Sequence, residues 1–572
     1  MTDLKDEFIR TSRQAFHSVR GPTLSEVRAA ITDDGTLDRV QRRDLLSALS
    51  RIERHTRQQL SDIPATAAAV REICAATNAV RMSISEKSFR NIRSAASMAV
   101  RRYGGAPAPI TTRIPLTGEW QDLLAMIPFK TMRFSLNRLA AFCSHMGIAP
   151  GTVDQTTLTG FYEALDAEVI VKNPKKLAKH TAICWNRCSR EIEGWPQSRL
   201  EGLFKRTPYT FPLAAFPKSF QDDVANWRKR MEAPDLLDLD APARPLRPDT
   251  IKVRIVVIRR FASALVHRRE MSIEEITSLG SLMDPARFKS ALRFFLDRLG
   301  GEPTESLQSL ANAMRHIANH WCKVDEETLK QLAKLCKRLE PAEQPHLSQK
   351  KRARLQQFED PENVRRLLCF PENQVAKAKR EKNPMKGARR VERALIVAIL
   401  IHCALRQRTL RMLEVSDFRW DRTSAGIRCH LLIAPEKVKN RRELEFALPA
   451  ETVEILRLYL ETYRPMLPGS DGPYLIPGMN GGMRSQTAMT EAIVPVLRKE
   501  TGLEINPHLI RDIVAKIAIE RDPAAYGAVT HLLGHKSEAV TRQHYLGSET
   551  KAAAQFLDGI LTKARHGEHT HE

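Results

Sequence analysis

Residues 506–547, near the end of the chain, read NPHLIRDIVAKIAIERDPAAYGAVTHLLGHKSEAVTRQHYLG. Asn506 is a good helix N-cap and Pro507 suits the first helical position, so a helix is expected to begin here. His508 and Arg511 then share one face of its first turn, where the positive end of the helix dipole favours a bound phosphate. Taken alone, a histidine and an arginine on a solvated surface would give the same pattern.

The second half of this segment predicts a helix that ends at Gly534, followed by a helix capped by Ser537. The turn between them fixes His535 in space. Tyr545 is the only tyrosine downstream of His535. For any single tyrosine, the simpler interpretation is a half-buried core residue with a satisfied hydroxyl.

Two more motifs lie upstream. Residues 401–420 read IHCALRQRTLRMLEVSDFRW and predict an apolar helix that breaks at Arg406 and then restarts. An arginine at such a break is costly unless it meets an anion or a carboxylate, and Glu414 and Asp417 are the carboxylate alternatives. Residues 426–449 predict two short strands around a basic turn at 437–442, and strands are otherwise scarce.

In their order along the chain, these motifs resemble the catalytic domain of the tyrosine recombinases, also called phage-type integrases. The matching elements are ALR with Arg406, a basic hairpin with Lys439, HLIR, HLLGH and HY. Each motif is weak alone, but five in the right order form a specific signal. The resemblance covers the last third of the chain and implies a mixed domain dominated by helices.

The resemblance implies a covalent mechanism with Tyr545 as the nucleophile. Its oxygen would attack a DNA phosphodiester, leaving a 3′-phosphotyrosyl link and a free 5′-hydroxyl, without ATP. Arg406 and Arg511 would hold the non-bridging oxygens, because a planar and permanently charged guanidinium meets two of them at once. His535 would add a further hydrogen bond to the phosphate.

The acid and base follow from the same resemblance. His508 would accept the tyrosine proton, and Lys439 would protonate the departing 5′-oxygen, with Lys437 as its rival. The chain departs from the family at Thr409, where an acidic residue is usual, so Arg406 is expected to find its support elsewhere, with Glu414 as the candidate. No metal or cofactor is required.

One pattern outside this region contains potential metal ligands. His180, Cys184 and Cys188 would face one side of a helix, but a fourth ligand and the usual CxxC spacing are absent. Plain helix core is therefore the favoured interpretation.

The composition supports a nucleic-acid partner. The 572 residues include 90 Lys and Arg against 67 Asp and Glu, a net charge of +23, on a chain with 42% hydrophobic residues. A folded chain with such an excess favours a polyanion, most often nucleic acid. The sequence shows neither an apolar run long enough for a membrane span nor an apolar signal core at its start. A cytoplasmic, nucleoid-associated protein with reduced cysteines is expected.

Three turn-rich or basic stretches, 104–115, 232–250 and 340–354, divide the chain. They predict a helical extension at 1–105 and a helical module at 116–231 with a DNA-binding role. The resemblance implies a helical core-binding (SAM-like) domain at 248–339 and the catalytic domain at 355–572. The fold class is mainly α with a small β-sheet, arranged as a clamp around DNA. The basic run at 348–354 is expected to contact DNA as it crosses the phosphate backbone.

The function expected from the resemblance is site-specific recombination, for integration or transposition of a mobile element. Double-stranded DNA would be the partner, with two protomers on each crossover site and four in the synapse, and with partner recombinases as an option. Two alternatives remain open: a type IB topoisomerase-like strand transferase, and an accessory DNA-binding subunit without catalysis. The intact set of six catalytic residues argues against the second.

Overall fold

The fold was analysed on a computed structural model. The structure describes residues 21–534 except for 105–114, 168–170, 172, 204–208, 236, 238–241, 243, 342–347 and 425. Beyond residue 534 it describes only 537–538, 541–542, 557–558, 561–562 and 565. The backbone divides into two compact units, one made of Met1–Phe204 with His346–Glu572 and the other of Lys205–Pro345.

The N-terminal part of the first unit is helical and has two separate apolar cores. Local caps define several of its helices: the Thr23 side chain forms a capping box with Glu26, and Asp154 caps the helix that follows it. The helices are α1 (Leu24–Asp33), α2 (Arg39–Thr56), α3 (Ala67–Ala76), α4 (Glu86–Tyr103), α5 (Gly118–Ala125), α6 (Lys130–Met146), α7 (Gln155–Asp166) and α8 (Pro174–Glu191).

The second unit packs five helices around its own apolar core. The apolar periodicity of residues 251–266 predicted one of them, and the helix is present with Pro248 at its first position. The helices are α9 (Lys218–Glu232), α10 (Pro248–His267), α11 (Pro285–Arg298), α12 (Glu305–His320) and α13 (Glu326–Lys337).

The C-terminal part of the first unit surrounds one buried helix, α17, with shorter helices and a three-stranded sheet. Its helices are α14 (Gln349–Gln356), α15 (Pro361–Leu368), α16 (Phe370–Lys379), α17 (Pro384–Cys403), α18 (Gln407–Arg411), α19 (Ala450–Leu458), α20 (Gln486–Thr501), α21 (Pro507–Arg521) and α22 (Tyr526–Leu533). Its strands are β1 (Phe418–Thr423), β2 (Gly426–Ile433) and β3 (Leu444–Ala447).

The sheet is antiparallel in the order β1-β2-β3. The two predicted strands are present as β2 and β3, which confirms the small β-sheet of the predicted fold class. The sequence analysis missed β1, which pairs along its whole length with β2. The basic run at 348–354, interpreted as a linker, lies mostly in the helix α14.

The module that carries His180 is built around buried tryptophans and thiols. Cys184 and Cys188 lie in its core beside Trp185, and the His180 Nδ1 atom is 3.6 Å from the Cys184 sulfur. Across the part of the chain that the structure describes, no cluster of three or more potential metal ligands occurs. None of the helices described there is long and apolar enough to cross a membrane.

Candidate active site

The turn after α17 places Arg406. Ala404 ends the helix in the left-handed conformation, with φ of 44°, and Arg406 is the N-cap residue of α18. The predicted break between two helices is therefore confirmed. Burial lowers the pKa of the half-buried Arg406 guanidinium, which indicates that the charge is held partly away from water.

The carboxylate expected to support Arg406 binds a different residue. Glu414 and Asp417 both accept hydrogen bonds from the Lys437 ammonium, at 3.0 and 2.9 Å. Among the described residues, Arg406 forms no ion pair. The expectation that Glu414 or Asp417 pairs with Arg406 is therefore wrong, because both carboxylates bind Lys437. The reason is the short 3₁₀ turn Pro435–Lys437, which brings the lysine onto these carboxylates.

Thr409 connects the turn at Arg406 to the hairpin. Its side chain is buried, and its hydroxyl donates a 3.0 Å hydrogen bond to the Lys437 carbonyl oxygen. A threonine therefore occupies the position where the family usually has an acid, and it fixes the hairpin to α18. The backbone of the segment that carries Lys437 and Lys439 is anchored beside Arg406.

The two candidate lysines occupy different environments. Desolvation would lower the pKa of Lys437, but hydrogen bonds to Asp417 and Glu414 outweigh it and raise that pKa. The Lys437 side chain is only 15% exposed. Lys439, two residues later, is exposed at the start of the basic turn. Lys437 is fixed to the protein, whereas Lys439 is accessible from solvent.

Arg511 lies at the centre of the site. The predicted cap is present, because the Asn506 side chain accepts a 2.8 Å hydrogen bond from the Leu509 amide and starts α21. Arg511, 6% exposed, donates from Nη1 to the Ala404 carbonyl oxygen at 2.6 Å and from Nη2 to the Leu533 carbonyl oxygen. One guanidinium therefore joins the turn before Arg406 to the end of α22.

The turn after α22 also contacts the hairpin. Gly534 ends the helix with φ of 54°, as predicted, and its carbonyl oxygen lies 3.4 Å from the Asn440 amide nitrogen that donates to it. A Cβ atom at this position would lie 3.0 Å from the same nitrogen, so glycine suits both the conformation and the space. His535 and Tyr545 lie outside the described residues.

His508 lies on the first turn of α21. Desolvation lowers the pKa of its imidazole, the cations Lys351, Arg511 and Arg406 lower it further, and Asp512 opposes them. Lys351 of α14 forms a 3.1 Å ion pair with Asp512, the residue after Arg511. The sequence analysis missed this pair, and only the basic run at 348–354 gave a signal of it.

Four of the five motif segments therefore converge in the structure. Arg511 connects the ALR and HLLGH segments, Thr409 connects ALR to the hairpin, and Asn440 connects the hairpin to HLLGH. Two guanidinium groups, an imidazole and a basic hairpin gathered in one place are suited to holding a phosphodiester and moving protons around it.

Residues 360–551 match the phage integrase family model. No curated protein sequence matches the chain. The chain is similar to the XerH site-specific recombinase bound to a palindromic difH substrate, with 13% identity over 59% of this chain and 95% of that chain, at a TM-score of 0.32. It is also similar to a lambda integrase dimer bound to a COC′ core site, with 12% identity over 65% and 87% of the two chains and a TM-score of 0.32.

Residues 360–551 combine the match to the phage integrase model with the gathered basic groups, a pattern that supports a catalytic domain of the tyrosine-type site-specific recombinases. The match to the phage integrase family covers about a third of the chain, and the family resemblance is that of this segment.

Proposed function

We propose that this protein cleaves and rejoins DNA through a 3′-phosphotyrosyl intermediate. The Tyr545 oxygen attacks the phosphorus atom, the 5′-oxygen of the adjoining nucleotide leaves, and the reverse attack by a 5′-hydroxyl restores a phosphodiester. Arg406 and Arg511 stabilise the charge that gathers on the non-bridging oxygens, and His535 adds a further donor.

The position of Arg511 is the observation that carries this proposal. A buried guanidinium that bonds to the carbonyls of Ala404 and Leu533 fixes the segments two residues before Arg406 and two residues before His535. This arrangement supports a common phosphate site for Arg406 and Arg511, which are distant in sequence.

His508 is suited to act as the base. The surrounding cations and partial desolvation keep its pKa below the ordinary value of 6.5, so the imidazole is neutral near pH 7 and can accept the tyrosine proton. Lys439 supplies a proton to the leaving 5′-oxygen. The exposed position of Lys439 supports this role, and the pairing of Lys437 with two carboxylates supports a structural role for that residue.

The substrate is double-stranded DNA with paired crossover sites, bound by a homo-oligomer with four protomers in the synapse. The net charge of +23 supports a polyanionic substrate. We assign the reaction to integration or transposition of a mobile element, because the residues outside the catalytic domain exceed what a minimal recombinase needs. Residues 116–231 and 248–339 are proposed to bind DNA beside the catalytic domain, in a cytoplasmic, nucleoid-associated complex.

A nicked DNA substrate that traps the intermediate tests the cleavage chemistry. The parental protein is expected to form a covalent protein–DNA adduct in the presence of EDTA, and Tyr545→Phe is expected to form none because it lacks the attacking oxygen. Tyr474→Phe, in the same domain, is the matched control. An adduct formed by Tyr545→Phe would place the nucleophile elsewhere, and no adduct with the parental protein would favour an accessory DNA-binding subunit.

Substituting the two lysines one at a time distinguishes Lys439, the proposed proton donor to the leaving 5′-oxygen, from the alternative donor Lys437. Lys439→Ala is expected to lower cleavage of an ordinary substrate by about 10²–10⁴-fold, because the leaving oxygen then lacks a proton donor. A substrate with sulfur at the bridging 5′ position should restore the rate, since a thiolate leaves without a proton. Initial rates of adduct formation on both substrates measure this effect.

Lys437→Ala provides the comparison. This change leaves Glu414 and Asp417 without their ammonium partner, so it should lower stability, and sulfur in the substrate should not restore its cleavage rate. Rescue of Lys437→Ala but not of Lys439→Ala would make Lys437 the acid.

A further inference from the structure

The second unit holds a group of basic side chains that form no ion pair with any residue the structure describes, and we name it the α10/α12 cation cluster. It consists of Arg254 on α10 and of Arg315, His316 and His320 on α12, and the two helices pack against each other. The rings of His316 and His320, one helical turn apart, are stacked with their centroids 5.0 Å apart.

Arg254, Arg315 and His320 are half-buried, whereas His316 is exposed. Burial lowers the pKa of the Arg254 guanidinium, and within the described part of the chain Arg254 and Arg315 form no ion pair. The Arg315 Nε atom is buried and meets no acceptor there. Burying a cation without a counter-charge is costly, so the arrangement works against the stability of the free protein.

The surroundings of His316 add no negative charge. Burial lowers the pKa of its imidazole, and the charged groups that act on it are Arg254, His320 and Arg315, all of which lower that pKa further. Arg230 of α9 donates to the His320 carbonyl oxygen, and Cys336 of α13 lies close enough to feel the charge of Arg315. Asp223 of α9 accepts a 2.9 Å hydrogen bond from the Trp321 indole and is not among the charges that act on His316.

Two other arginines of this unit form ion pairs with carboxylates. Arg268, at the end of α10, pairs with Asp297 at 3.0 Å, and Arg228 of α9 pairs with Glu232 at 2.7 Å. Arg259 and Arg260 of α10 have no carboxylate partner among the described residues either, but they donate hydrogen bonds to the Phe211 carbonyl oxygen and the Tyr209 hydroxyl. The α10/α12 cation cluster differs because its Arg315 Nε atom is buried without an acceptor in the described part of the chain. A site that concentrates cations at a cost in stability is suited to binding an anionic ligand that is not part of the protein.

We propose that the α10/α12 cation cluster binds a phosphate of the DNA backbone and that the His316–His320 pair takes up a proton from solvent when the phosphate binds. Arginine forks match phosphate oxygens, and a protonated imidazole donates from both nitrogens. Because a phosphate stabilises the protonated imidazole, affinity is greatest at low pH and falls as the pH rises past the pKa of the free pair. The choice of DNA as the source of the phosphate rests on the proposed function.

Salt dependence tests the phosphate contact. With the full chain and a random duplex of about 30 base pairs, Arg254→Gln should flatten the slope of log Kobs against log [KCl] by about 1. Arg268→Gln removes the same charge from an ion pair in the same unit and should leave the slope unchanged. The free Arg254→Gln protein should melt at or above the parental temperature, because an uncompensated cation has been removed. An unchanged slope, or a melting temperature below the parental value, would overturn the proposal.

The pH dependence tests the histidine pair. Between about pH 5.5 and 8, the affinity of the parental chain for the duplex should fall as pH rises, and the double substitution His316→Gln with His320→Gln should remove most of that fall. A fall of the same size in the double variant would overturn the proton uptake, and no binding by the parental chain would overturn the site itself. Tyr545→Phe, which is expected to form no adduct, should keep the parental salt slope and pH dependence of duplex binding, so a failure of this phosphate site is distinguished from a failure of the proposed catalysis.

Discussion

Arg406→Lys is expected to lower the rate of adduct formation by about 10²–10³-fold while leaving DNA affinity nearly unchanged. Lysine keeps the positive charge but loses the planar fork that meets two phosphate oxygens together. In the structure Arg406 is half-buried and forms no ion pair with the described residues, so the side chain is not needed to hold a carboxylate. Single-turnover cleavage and duplex binding, measured on the same preparation, separate the two effects.

Arg419→Lys is the matched control for this result. Arg419 lies on β1, its side chain is 71% exposed, and it faces Asp421 at 3.6 Å. The same substitution there should change neither binding nor cleavage. Parental cleavage by Arg406→Lys would show that Arg406 does not contact the reacting phosphate, and equal loss of binding and cleavage would make it a positioning contact with the DNA backbone.

Glu392→Gln is expected to destabilise the catalytic domain by about 3–5 kcal/mol. Glu392 is fully buried in α17 and accepts two hydrogen bonds from Arg484, at 2.6 and 3.0 Å, with Arg389 3.2 Å away. Arg484 is itself 7% exposed, so a neutral amide would leave its charge buried without a counter-ion. A lower denaturation midpoint in urea, followed by circular dichroism, measures the loss.

Glu362→Gln is the corresponding exposed control. Glu362 pairs with Arg365 and Arg366 at the surface of α15, where water can replace the lost partner. This variant should unfold at nearly the parental midpoint. Equal midpoints for Glu392→Gln and Glu362→Gln would show that the buried pair adds nothing to the stability of the domain.

Local sequence signals predicted most of the elements that position the site. The Asn506–Pro507 pair starts α21, Gly534 ends α22, and the apolar run before Arg406 ends where the periodicity breaks. Each signal depends on the side chain or backbone conformation of one or two neighbouring residues. Strand β1 was missed although the start of FRWDRT alternates apolar and charged residues as a half-buried strand does, because the alternation ends after Asp421 and is too short to stand out from a loop.

The partners within the site could not be predicted from local sequence. Lys437 binds Glu414 and Asp417 because the 3₁₀ turn after β2 places it there, and the bond from Thr409 to the Lys437 carbonyl depends on the same placement. The pair of Lys351 with Asp512 depends on how α14 packs against α21. Such pairings follow from tertiary packing, which residue spacing does not encode.

The central claim is that the phenol at position 545 attacks the phosphodiester held by these arginines. Protease digestion of the trapped adduct, followed by mass spectrometry of the nucleotide-linked peptide, tests it most directly. The account predicts a nucleotide attached through its 3′-phosphate to Tyr545. A nucleotide attached to any other residue, or joined through a 5′-phosphate, would contradict it.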